Sequence, residues 1–264
     1  MKKNGKEFIN TSRRSIFKIL RLDSLPFYST YKCLFTYSKP FIMRLLLYIS
    51  SFIAITLVSF TGMQQKQKVV FFGDSITQAG VSPMGYITVL GSLITQKGLN
   101  NQYELVGAGI SGNKVTDLYL RLEDDVLAKN PTTVVIWIGV NDVWHKKGGT
   151  GTDANKFEQF YTAIIKKLQA RNIKVVLCTP AAIGEKTDFS NEQDGDLNKY
   201  AAIVRTIAAN NNCALVDLRK IFLAYNVTNN TKNEDRGILT RDGVHLNDKG
   251  NTLVAEEIMK AIVK

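Results

Sequence analysis

The sequence predicts an α/β domain built on a doubly wound, five-stranded parallel sheet. Three observations predict it. From Lys68 onward, strand-like and helix-like segments alternate, the pattern of a parallel sheet with crossover helices. The strand-like runs are near-continuously apolar rather than apolar at every second position, as strands are when both sheet faces are covered. The residues able to do chemistry fall just past the ends of these runs, where ligands bind in such folds.

The first strand is expected at 68–72, where Val69-Val70-Phe71-Phe72 runs into Gly73. A helix is expected at about 84–97, a second strand at 103–107 and a helix at 114–128. The third strand, 133–139, is the most apolar, with an unbroken run from Val134 to Ile138. The helix at 155–170 shows apolar residues three and four apart (Phe157, Phe160, Tyr161, Ile164, Ile165 and Leu168), one buried stripe of a helix. A strand at 173–179, a helix at 194–210, a strand at 214–217 and a helix at 247–262 complete the domain. The strand order expected is flavodoxin-like. Between the elements, 140–153, 181–193 and 226–240 are polar loops rich in Asn, Gly, Asp, Lys and Thr. The domain contains no internal repeat, low-complexity segment or linker.

The net charge of +11 suggests a nucleic-acid partner until it is located. Residues 1–42 carry nine lysines and arginines against two acids, a net +7, so the domain itself is only mildly basic. A nucleic-acid partner is not expected. Cys178 closes one strand and Cys213 opens the next. On neighbouring parallel strands they would stand roughly 13 Å apart at about 3.3 Å per residue, too far for a disulfide. Both are expected to be free thiols, and Cys33 lies in the tail. No cluster of His, Cys and Asp has metal-ligand spacing, and no cofactor is expected.

Residues 1–63 read as a basic tail followed by a targeting segment. Arg44 precedes an apolar run from Leu45 to Phe60. The run is short for a membrane span, which needs roughly 20 residues, and suits the centre of a secretory signal. Two readings stay open: translation from Met43 with a cleaved signal, or a long basic tail with an uncleaved anchor at 45–60. Both place the domain, 64–264, outside the cytoplasm, as a periplasmic, secreted or membrane-anchored protein.

Four short blocks carry the chemistry. Gly73-Asp74-Ser75-Ile76-Thr77 follows the first strand and precedes a helix, a position where a serine is a nucleophile or a helix cap. Asp74 fits a turn former better than a proton carrier. Gly107-Ala108-Gly109-Ile110-Ser111-Gly112 follows the second strand, and Gly139-Val140-Asn141-Asp142 the third. A backbone N–H at Gly109 and the Asn141 amide could serve an oxyanion there, or Gly109 could be glycine because the turn needs positive φ. Near the C-terminus, Arg241-Asp242-Gly243-Val244-His245 holds an aspartate three residues before a histidine. Such an aspartate can hold Nδ1–H and leave the other ring nitrogen to take a serine proton. The second of the two histidines, His145, follows Trp144 on a rim loop. Asp74, Trp144 and His145 are candidates for substrate contact. Lys146-Lys147-Gly148-Gly149-Thr150-Gly151 lacks the phosphate-loop pattern and reads as a mobile rim loop.

These four blocks, in this order, resemble those of the SGNH/GDSL hydrolase family of esterases and lipases, over about Lys68 to the C-terminus. The resemblance implies a three-layer α/β/α fold and ester hydrolysis through an acyl-enzyme, without a metal. It implies Ser75, Asp242 and His245 as a catalytic triad, and Ser75, Gly109 and Asn141 as the oxyanion hole. The polar loops suit a hydrophilic alcohol such as an acetylated sugar, so a carbohydrate O-acetylesterase is expected. A lysophospholipase or thioesterase with a longer acyl pocket is the alternative within the class. Outside it stands a glycan- or lipid-binding module that has lost the chemistry.

Overall fold

The computed structural model describes residues 41–50 and 66–263. The chain divides into two compact units, Met1–Met63 and Gln64–Lys264. In the first, residues 41–50 are helical. Residues 51–60 of the apolar run, most of the basic tail and Cys33 lie outside the described residues. Among the described residues, no helix is long and apolar enough to cross a membrane.

The second unit is built on one sheet of five parallel strands: β1 (Gln67–Gly73), β2 (Tyr103–Gly109), β3 (Thr133–Trp137), β4 (Lys174–Cys178) and β5 (Ala214–Val216). Their order is β2-β1-β3-β4-β5, the flavodoxin-like arrangement expected from the sequence. Phe72 is level with Ala108 on one side and Ile136 on the other, and Cys178 with Val216. Cys213 precedes β5 at the other end of the sheet, and both cysteines are free thiols.

Successive strand residues point to opposite faces, and this alternation builds two cores. Val70, Phe72, Val134, Ile136, Val175 and Leu177 pack on α3 (Val115–Asp125), α5 (Ala154–Gln169) and α6 (Asp194–Asn210). Val69, Phe71, Val135, Trp137, Val176 and Val216 pack on α2 (Tyr86–Gln96), α7 (Leu218–Asn229) and α8 (Asp248–Ile262). The result is a three-layer α/β/α fold. Adjacent Phe71 and Phe72, both fully buried, each serve one layer, and each burial contributes about 1.5–3 kcal/mol.

Three helices depart from the sequence reading. Two are single turns that follow strands directly, α1 (Ser75–Ala79) after β1 and α4 (Val140–Trp144) after β3. β3 ends at Trp137 rather than at 139 because Gly139 takes φ +125° and turns the chain into α4. The third, α7, occupies the start of the 226–240 stretch that reads as loop. Asp217, expected as the last residue of β5, instead caps α7 by accepting the Lys220 N–H at 3.3 Å.

Candidate active site

The carboxyl ends of β1, β2 and β3 converge on one rim. At the end of β1 the chain turns sharply, and Gly73 has no room for a side chain: a Cβ would lie 2.5 Å from Trp137 O. Asp74 then caps α1, its Oδ1 accepting the Ile76 N–H at 3.0 Å. Its carboxyl is buried, 2 % exposed, so it faces the interior rather than a substrate. Burial, with Asp142 nearby, pushes it up to about 7 against the pull of the Ile76 N–H and Arg121. Ser75 is the first residue of α1, where a helix leaves the N–H without an intrahelical acceptor.

Gly109 ends β2, an edge strand. Ile110 N donates to Gly73 O at 3.2 Å, so in the alternation of a parallel ladder the Gly109 N–H points away from β1. Positive φ is not what requires glycine here, since Gly109 is absent from the positive-φ residues. Close approach requires it: a Cβ would lie 2.5 Å from Thr77 C in α1 and collide with Gln78 N. The helix that begins with Ser75 therefore rests directly on the end of β2. Gln78 adds a side-chain tie, its Oε1 accepting Ser111 N–H at 2.8 Å.

Asn141 lies in the first turn of α4 and is buried. Its Nδ2 donates to Asn113 O at 3.0 Å, which spends one of its two amide hydrogens and orients the other. The next residue, Asp142, is fully buried and accepts the Val115 N–H at 3.2 Å. Burial raises its carboxyl to about 6 despite hydrogen bonds from Thr152 and Val115. Two neighbours in α4 thus grip the loop that links β2 to α3.

Arg121, which the sequence reading missed, ties the same ends together from α3. Its guanidinium donates to Gly73 O at 2.8 Å, Ala108 O at 3.0 Å and Asn113 Oδ1 at 2.6 Å. It also lies 4.5 Å from the Phe72 ring centroid. A lone arginine in an amphipathic helix carries no sequence signal for this role.

The fourth block closes over Ser75. Asp242 folds back on His245 within one turn, accepting its backbone N–H through Oδ1 and meeting Nδ1 through Oδ2, both at 2.7 Å. The other ring nitrogen, Nε2, stands 2.9 Å from Ser75 Oγ. Partial burial raises the Asp242 carboxyl, but the hydrogen bonds from the His245 backbone, its ring and Val244 N–H outweigh it and hold the group below the ordinary range. Hydroxyl, imidazole and carboxylate form one continuous hydrogen-bonded path, the arrangement through which a serine can pass its proton to a base.

Trp144 flanks this path, 39 % exposed, with its ring centroid 6.4 Å from that of His245. His145 is ranged beyond it, 6.2 Å from Trp144. The 146–151 stretch is pinned rather than loose. Lys146 pairs with Asp196 at 3.2 Å and sits over the Tyr200 ring, and Lys147 pairs with Glu192. A cleft of about 340 Å³ adjoins the path, bounded by Trp144, Lys147, Lys186, Gln193, Asp235 and Asp242. A second, of about 320 Å³, lies at the opposite end of the strands among Gln67, Thr133, Lys174 and Ala214, the first residues of four strands. It is remote from Ser75. Among the described residues no cluster of His, Cys, Asp and Glu could hold a metal ion.

Residues 71–253, which span all four blocks, match the GDSL-like Lipase/Acylhydrolase family. The chain belongs to that family. It is a carboxylic ester hydrolase with the α/β/α architecture of its relatives. Among solved structures, the acetyl xylan esterase AlAXEase is 66% identical, with a TM-score of 0.73 covering 74% of this chain and 100% of that one. A catalytic mutant of an acetylxylan esterase from Geobacillus stearothermophilus is 26% identical at a TM-score of 0.65, covering 76% of this chain and 97% of its own. An isoamyl acetate-hydrolyzing esterase from Schizosaccharomyces pombe is 22% identical over 200 residues, 75% of each chain.

Proposed function

We propose that this GDSL-family esterase removes acetyl groups from acetylated saccharides of the xylan type through an acyl-enzyme, and that it works outside the cytoplasm. The observation that carries the reaction is the continuous path from Ser75 through His245 to Asp242. In it, His245 Nε2 takes the Ser75 proton as Oγ bonds to the ester carbonyl carbon. Asp242 holds Nδ1–H and stabilises the imidazolium. The Ser75 N–H and the free amide hydrogen of Asn141 receive the developing oxyanion; the Gly109 N–H, expected to join them, points away from β1 and from Ser75 at its end. As the C–O bond to the alcohol breaks, His245 returns the proton to the leaving oxygen. Water then attacks the acyl-enzyme, giving its proton to His245, and acetate leaves as Ser75 recovers its hydroxyl.

The substrate class is supported by the 66% identity to an acetyl xylan esterase and by the polar cleft beside the path. Trp144, partly exposed, suits the apolar face of a sugar ring. The Arg44 charge ahead of the apolar run at 45–60 supports export.

The test is hydrolysis of acetylated xylan and of p-nitrophenyl acetate, butyrate and octanoate, with Ser75→Ala in parallel. Acetate release that disappears in the variant, and a preference for the two-carbon ester, are expected. A preference for octanoate would move the substrate to longer acyl chains. Cell fractionation with N-terminal sequencing of the mature protein tests export, and a cytoplasmic protein beginning at Met1 would end that part of the proposal.

A further inference from the structure

Glu185 is a buried carboxylate that the reaction above leaves unused. It lies in the segment after β4 and is 0 % exposed. Three consecutive backbone N–H groups converge on it: Ile238 on Oε2 at 2.9 Å, and Leu239 and Thr240 on Oε1 at 2.7 and 3.1 Å. Bonds of this kind, with a charged acceptor, are shorter and stronger than neutral ones.

The three donors belong to the loop that carries Asp242 and His245. That loop has no regular secondary structure between α7 and α8, so contacts such as these must set its shape. Glu185 and its neighbour hold it at both shoulders: Glu185 N donates to Asp235 O at 3.0 Å, and Gly184 N to Gly243 O at 2.8 Å. Asn230 Nδ2 bridges Glu185 O and Glu234 O, each at 2.8 Å. From Thr240 the path continues into the turn. Its Oγ1 accepts Gly243 N–H at 3.0 Å, and a bridge between Thr240 and Leu246, with Arg241 N donating to His245 O at 2.8 Å, closes the turn around Asp242 and His245.

We propose that Glu185 is a positioning residue for the base: through Thr240 it fixes the turn that brings His245 Nε2 within reach of Ser75 Oγ. The inference rests on the reading of His245 as the base. A carboxylate is what the site needs, because it offers only acceptors to three donors. Glutamine would turn an NH₂ group toward at least one N–H. A reacting group displaced by about 1 Å can cost about 10²-fold in rate.

The experiment compares Glu185→Gln, Glu185→Asp and Thr240→Val in the full chain, on p-nitrophenyl acetate, at temperatures where circular dichroism shows each folded. Glu185→Gln is expected to lower kcat by about 10²-fold with KM little changed. Glu185→Asp, which keeps the charge, should recover part of the loss, and Thr240→Val, which removes the relay to Gly243, should lower kcat in the same sense. The decisive arm is Glu185→Gln in a His245→Ala background, where no further loss is expected because nothing remains to be positioned. Equal losses in both backgrounds, or a folded Glu185→Gln protein with wild-type kcat, would overturn the proposal while leaving the base assignment intact. Unchanged turnover in His245→Ala alone would remove the base assignment and this inference with it. Should Glu185→Gln fail to fold, Thr240→Val decides; failure of both to fold would assign Glu185 to the stability of the whole domain and overturn the positioning role.

Discussion

Asn141 shows how much a single side chain can be asked to do. One amide hydrogen is committed to Asn113 O, which fixes the plane of the group, and the proposed reaction uses the other for the oxyanion. Asn141→Ala is expected to lower kcat on p-nitrophenyl acetate by about 10²–10³-fold, or roughly 2.7–4 kcal/mol of barrier; unchanged turnover would reject the role. Its neighbour Asp142 makes a prediction about stability. Burial lifts that carboxyl from 3.8 to about 6, so the unfolded chain releases the proton first as pH rises. The contribution to stability is therefore undiminished below about pH 4 and drains away as pH climbs through the folded value. Asp142→Asn keeps an oxygen for Val115 N–H and removes this loss, on the order of 3 kcal/mol. Its melting temperature should fall less than the wild type's between about pH 4 and about pH 8, and parallel melting curves would contradict the assignment. At this scale the sequence was legible where residue type and chemistry coincide. The Asp242–His245 spacing placed the pair in one turn. Asp74 read as a turn former and does accept the Ile76 N–H; its burial, which takes it away from any substrate, was not legible, because residue type alone does not say which way a carboxyl faces.

At the scale of elements, the helix that begins with Ser75 is held against the end of β2 by the absence of a side chain at Gly109. Gly109→Ala would press a methyl group into the backbone of Thr77 and Gln78. We expect a loss of about 1–3 kcal/mol in stability, as overpacking generally costs, together with a lower kcat, since α1 must move to relieve it. A variant with unchanged melting temperature and kcat would show that the contact is yielding. Five of the six helices longer than one turn were readable from apolar spacing, and all five strands from their near-continuous apolar runs. The missing ones have separate causes. Single-turn helices such as α1 and α4 are too short to show a period. In α7 the apolar spacing is present at Leu218, Phe222 and Tyr225, with Asp217 as an N-cap before it. The polar Asn-Val-Thr-Asn end of that helix masks the pattern.

Across the whole domain, the sheet faces feed two separate cores, and polar ties connect elements that apolar packing leaves independent. Arg219 of α7 is one such tie, buried and donating to Asp194 Oδ1 at 2.6 Å, Asn198 Oδ1 at 2.8 Å and Ala181 O at 3.1 Å. Asp194→Ala would strand the guanidinium in the interior at a cost of about 3–5 kcal/mol, a drop of roughly 10 °C in melting temperature. A drop near zero in calorimetry would mean that the cation finds water instead. None of this pairing was visible beforehand, because partners 25 residues apart across a layer leave no local pattern. The two halves of the site also meet only in space, but there the four sequence blocks named both halves in advance. Ser75 and His245 are 170 residues apart along the chain. At a synthesis rate of about 5–20 residues per second, roughly 10–30 s separate the emergence of one from the other. On the proposed mechanism, a growing chain therefore carries its serine unarmed through most of its own translation and gains a nucleophile only when the closing loop is delivered.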